Sequence, residues 1–100
     1  MNTNIIQSTK HLLENAFRDT PSGKTCQLAL LAACYPGHYS LEFSDLCCLD
    51  GRNTRAALNV LTYRLVEFES IESIIGPETF NRLHDAWCRD HPDNQIANAC

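Results

Sequence analysis

Four proline-bearing breaks, at Thr20-Pro21, Tyr35-Pro36-Gly37, Gly76-Pro77 and His91-Pro92, cut this chain into short segments with apolar residues at helical spacing. Proline cannot continue a helical ladder and disfavours a helical residue before it, so each break bounds a helix. Between the first two breaks the run 26–34 is apolar nearly all round, which predicts a buried helix. Before it, Ile5, Ile6, Leu12, Leu13, Ala16 and Phe17 form one stripe, predicting a first helix near 4–18.

The stretch 39–43 alternates apolar with polar residues and reads as a short strand or an extended packed loop. Ser44 suits the N-cap of a short helix at 45–49, and Asp50-Gly51 is a turn signal. A longer helix is predicted over 53–68, with Leu58, Leu61, Leu65 and Phe68 as its core face. Pro77 fits the first position of a last helix at 77–90, whose buried stripe is Phe80, Leu83 and Trp87. The expected architecture is all-α: a compact orthogonal bundle of four to five helices in one domain over 1–92, with a helix-turn-helix-like pair, one short extended segment and a frayed polar tail at 93–100.

With 100 residues, 44% of them hydrophobic, the chain can close a single core but has little material for a deep substrate chamber. No activated nucleophile, nucleophile elbow or carboxylate pair stands out, so an enzyme is not expected, nor is a cofactor. The first residues lack the basic start and apolar run of a secretion signal, and no apolar stretch approaches bilayer length, so a cytoplasmic location is expected. In that compartment the six cysteines are expected as reduced thiols, with Cys26 and Cys34 acting as small buried hydrophobes. The adjacent Cys47 and Cys48 would bridge only with strain.

The net charge of −4 excludes the basic footprint of a general nucleic-acid binder. The distribution carries more information, because Arg52, Arg55 and Arg64 fall together and Glu67, Glu69, Glu72 and Glu78 follow them. The segment 43–65 has the order short helix, glycine turn, longer helix. Its second helix is expected to project Arg52, Asn53, Arg55, Asn59 and Tyr63 outward, and Arg and Asn are the side chains suited to guanine and adenine edges. Two further patterns are weaker. Ser22-Gly23-Lys24-Thr25 holds the end of a phosphate-binding loop, but Arg18 stands where the motif needs a glycine and no strand precedes it. His84, Cys88 and His91 share a helix face at i, i+4, i+7 and are zinc-ligand types, yet no fourth ligand follows from spacing.

Residues 30–37 run through an apolar helix into a Tyr-x-Gly turn. Phe43-Ser44-Asp45-Leu46 with Leu49-Asp50 then forms an aromatic-Ser-Asp-Leu element, and Ala57-Leu58-Asn59-Val60-Leu61 an apolar helix. Together these make the stretch from residue 19 to about 64 resemble a domain family of unknown function, found in small proteins carried by bacterial plasmids and integrative elements. Cys47-Cys48 and the acidic residues at 67–78 fall outside that pattern. The resemblance implies a setting, cargo of a mobile element in a bacterial cell, and brings no catalytic residue.

The expected function is therefore a non-enzymatic protein-binding module, an anti-CRISPR-like inhibitor of a host defence nucleoprotein complex. Its contact residues are expected to be Arg52, Arg55, Asn59, Tyr63, Glu67, Glu69 and Glu72. The rival reading is a small helix-turn-helix regulator that binds duplex DNA through 52–63. A homodimer through the cysteine-rich or acidic surface is compatible with either.

Overall fold

The computed structural model describes residues 3–35, 37–39, 41–67 and 71–90. These form six helices: α1 (Thr3–Ala16), α2 (Pro21–Cys34), α3 (Phe43–Leu46), α4 (Gly51–Val66), α5 (Glu72–Ile75) and α6 (Pro77–Asp90). Among the described residues there is no strand, so the fold is all-α; of the alternating stretch, Tyr39 makes an isolated β-bridge and Phe43 already lies in α3. None of these helices is long and apolar enough to cross a membrane.

The centre is α2, as its composition demands. Cys26, Leu28, Ala29, Leu30, Leu31, Ala33 and Cys34 are all buried, and α1, α4 and α6 each pack against this helix. It begins at Pro21, ahead of the apolar run at 26, because Thr20 caps it by accepting the Gly23 N–H at 3.0 Å while Pro21 occupies the first helical position. Gln27 is also buried, and its Nε2 donates to the Ala16 carbonyl at 3.2 Å, which satisfies an otherwise orphaned acceptor at the end of α1.

The α1 stripe divides as expected, with Ile5, Leu12 and Ala16 buried and Ile6 and Leu13 packed at the margin. Phe17 lies just past the helix and is partly exposed, covered by the Arg82 guanidinium 4.5 Å from its ring centre. In α6, Leu83 is fully buried, and Phe80 and Trp87 pack against the core. Gly76, at φ 83°, makes the left-handed turn that joins α5 to α6.

Two local expectations are corrected. The short helix spans Phe43–Leu46 and follows Glu42, whose N–H donates to the Asp45 carboxylate at 2.9 Å; Ser44 therefore lies inside it and is not its cap. The larger correction concerns α4. Its buried side is Asn53, Ala56, Ala57 and Val60, whereas Leu58 and Leu65, expected in the core, are 50% and 70% exposed. Leu61 packs at the margin, and Phe68 lies outside the described residues. The reason is steric: α4 packs against both α1 and α2, and alanines at the seam allow that approach where leucines would hold the helices apart.

Candidate functional site

Helix α4 starts from a firm cap, the Asp50 carboxylate accepting the Asn53 N–H at 2.8 Å. Asn53, expected to point outward, is buried and faces α1, its Oδ1 lying 3.4 Å from Asn15 Nδ2. Tyr63 is half-buried against the core, not displayed. Arg52, Arg55 and Asn59 are exposed as expected, and they share the outward side with Leu58, Thr62, Leu65 and Val66. The acidic residues differ in exposure. Glu67 is exposed just past α4, while half-buried Glu72 begins α5 and hydrogen-bonds the Tyr35 hydroxyl, an interaction that raises the tyrosine pKa. Glu69 lies outside the described residues.

Two polar pairs link α1 to α4. Asn59 Nδ2 donates to Ser8 Oγ at 3.0 Å, and Asn15 pairs with Asn53. The numbers rise along one helix as they fall along the other, so the two run antiparallel. Between these pairs lies His11, and the cleft-lining residue across from it is Ala56, which offers no polar side-chain atom. The His11 Nε2 is buried and has no hydrogen-bond partner among the described residues. The cleft has a volume of about 500 Å³ and is also lined by Gln7, Gly51, Arg52 and Arg55. Among the described residues no carboxylate lines it, in a chain whose net charge is −4.

A second cluster surrounds His84. The Tyr39 hydroxyl bonds Nδ1, Phe80 stacks on the ring at 6.2 Å, and Cys88 Sγ lies 3.6 Å from Nε2. One tautomer satisfies both polar contacts, with Nδ1 accepting from Tyr39 and Nε2–H directed at the sulfur. Tyr39 holds its proton well, because burial, then the nearby Cys34 and Tyr35, raise its pKa. The i, i+4 spacing thus brings His84 and Cys88 together, while His91 lies outside the described residues. Both ring nitrogens of His84 are engaged, and no group of three metal-ligand side chains occurs among the described residues. Cys88 is disulfide-bonded, which departs from the all-thiol expectation, whereas Cys26, Cys34, Cys47 and Cys48 are free.

The Ser22-Gly23-Lys24-Thr25 stretch has a structural explanation. It forms the first turn of α2, and a Cβ on Gly23 would sit 2.6 Å from the Arg18 carbonyl oxygen and 2.7 Å from that of Asn15. Glycine is needed there for the close α1–α2 turn, and Lys24 pairs with Asp19 at 3.6 Å.

A family model described as a family of unknown function, DUF7673, matches residues 6–88. The chain belongs to this family. The DUF7673 match takes in α2 to α5 complete, with most of α1 and α6, and therefore the whole α1–α4 cleft and the outward side of α4, but not His91. Neither the curated proteins nor the solved structures hold a significant match.

Reasoning from sequence missed Gln7, Ser8 and His11 as neighbours of the arginines. A signal was present, since Ser8 and His11 fall on the polar edge of the α1 stripe, but only the antiparallel α1–α4 register places them beside Arg52, Arg55 and Asn59.

Proposed function

We propose that this chain is a non-enzymatic protein-binding module of a mobile genetic element, docking the outward side of α4 on a host defence nucleoprotein complex as an anti-CRISPR-like inhibitor. The observation that carries the protein-binding part is the inside-out distribution on α4. The helix buries alanines, a valine and an asparagine, and turns Leu58, Leu65 and Val66 to solvent. Single exposed apolar residues are ordinary, but three large ones on one helix side, flanked by an arginine, have the composition of a contact surface.

The nucleoprotein target rests on charge at the two ends of that surface. Arg52 and Arg55 stand at the start of α4, suited to phosphates, and exposed Glu67 follows its end, suited to a basic protein groove. The mobile-element setting rests on the resemblance of residues 19–64. The non-enzymatic part is supported at Cys26, where burial, then the charge of Asp50, pushes the thiol up to about 11, the opposite of nucleophile activation.

The test is a pull-down of tagged protein from bacterial lysate, with and without nuclease, alongside a Leu58→Asp/Leu65→Asp variant. A nucleoprotein complex that survives nuclease, is lost with the variant, and is inhibited by the wild-type protein after purification supports the reading. Capture unchanged by the variant overturns it.

A second reading, a small DNA-binding regulator, is favoured by Arg52, Arg55 and Asn59 standing together on α4. It expects salt-dependent duplex binding that weakens on Arg55→Ala. Weighing against it, α3 has only 4 residues and buries none of them, so α4 is braced by α1 and α2 and not by the helix that precedes it.

A further inference from the structure

We propose that the α1–α4 cleft is a binding site for a phosphoryl group carried by a small molecule, held by Arg52, Arg55 and His11. This site shares Arg52 and Arg55 with the charged end of the docking surface above, but its argument does not rest on that reading. Three observations converge on it.

The first is the broken polar ladder between the helices. Ser8 pairs with Asn59 and Asn15 with Asn53, while the group between them, His11, has a buried Nε2 with no partner among the described residues. A buried polar nitrogen without a partner costs free energy that a bound acceptor recovers. The second is charge. Two guanidinium groups line the cleft without a carboxylate, and neither Arg52 nor Arg55 makes an ion pair among the described residues. Guanidinium forks match the oxygens of a phosphoryl group, and two positive charges match its dianion.

The third is Gly51, which lines the cleft at the first position of α4. Its φ is not in the left-handed region, and a Cβ there would meet nothing within 4 Å, so neither the turn nor the packing demands glycine. What glycine does provide is a stretch of cleft wall free of any side chain beside Arg52, while Asp50 caps the amides of α4. The cleft is open to solvent and its volume of about 500 Å³ exceeds what a bare phosphate needs, which leaves room for the remainder of a larger ligand. Gln7 is placed to contact the remainder.

Inorganic phosphate is the probe, titrated into the full chain and followed by calorimetry and by the His11 ring resonances in NMR. The expected result is saturable one-site binding with Kd below about 1 mM, with the His11 signals shifting along the same isotherm. Arg52→Gln and Arg55→Gln should each weaken it by about tenfold or more, and His11→Phe should weaken it with the helical signal unchanged. Acetate and a short DNA duplex run in parallel separate the sources. No phosphate response, acetate binding equal to phosphate, or a response confined to the duplex would each overturn the proposal, the last passing these arginines to the DNA reading. Phosphate binding that persists undiminished in the Arg52→Gln/Arg55→Gln double variant would also overturn it.

Discussion

The exposure of Leu58 and Leu65 can be tested by truncating them. If these side chains faced the core, each change to alanine would cost about 2–5 kcal/mol, the sum of lost transfer energy and the cavity left behind. The structure leaves Leu65 70% exposed and Leu58 50% exposed, so only a fraction of each side chain is removed from water. Full burial of a leucine is worth about 1.5–3 kcal/mol, which scales to about 0.5–1 kcal/mol for Leu65 and about 1–1.5 kcal/mol for Leu58. No closed cavity forms at a surface position, and alanine slightly favours the helix. The Leu58→Ala/Leu65→Ala double variant should therefore lose about 1–2.5 kcal/mol in total. Leu31→Ala, at a position with no exposure, is the control and should lose about 2–5 kcal/mol by itself. Urea denaturation followed by far-ultraviolet circular dichroism and by Trp87 fluorescence gives the free energies, with the slope checked for constancy. A loss above about 4 kcal/mol for the double variant would refute the orientation assigned to α4 and, with it, the docking surface.

Thr9 is fully buried and its hydroxyl has no partner among the described residues, so Thr9→Val should stabilise the protein by about 1 kcal/mol, and a lower urea midpoint would contradict that. Gly23→Ala should destabilise by about 1–3 kcal/mol, because the added methyl meets backbone carbonyls that cannot rotate away; thermal melting checks this. The Cys26 thiol binds its proton more tightly in the folded state, at about 11 against an ordinary 9.0, so its contribution is fully present below pH 9 and is lost as pH rises through 11. Urea midpoints across that window should fall more steeply in the wild type than in Cys26→Ala. Thiol labelling of the native protein at pH 8, mapped by mass spectrometry, should modify exposed Cys47 and Cys48 while sparing buried Cys26 and Cys34.

Much of the fold was legible along the chain. The proline breaks and apolar stripes located the four long helices, and the all-round apolar run identified α2 as the central one. These are local properties: a proline ends a ladder wherever it stands, and a helix apolar on every side has no stable place but the interior. The sequence was ambiguous where one helix offered two apolar sides. On α4, Leu58 and Leu65 carry more apolar surface than Ala56, Ala57 and Val60, so size alone pointed the wrong way. Packing chose the smaller set because two neighbouring helices had to approach it closely. The same interhelical register brought Gln7, Ser8 and His11 beside Arg52 and Arg55 from more than 40 residues away in the chain. Helix identity follows from neighbours in sequence. Which side of a helix is buried, and which distant residues share a cleft, depends on close packing among several helices at once, and that only the tertiary structure decides.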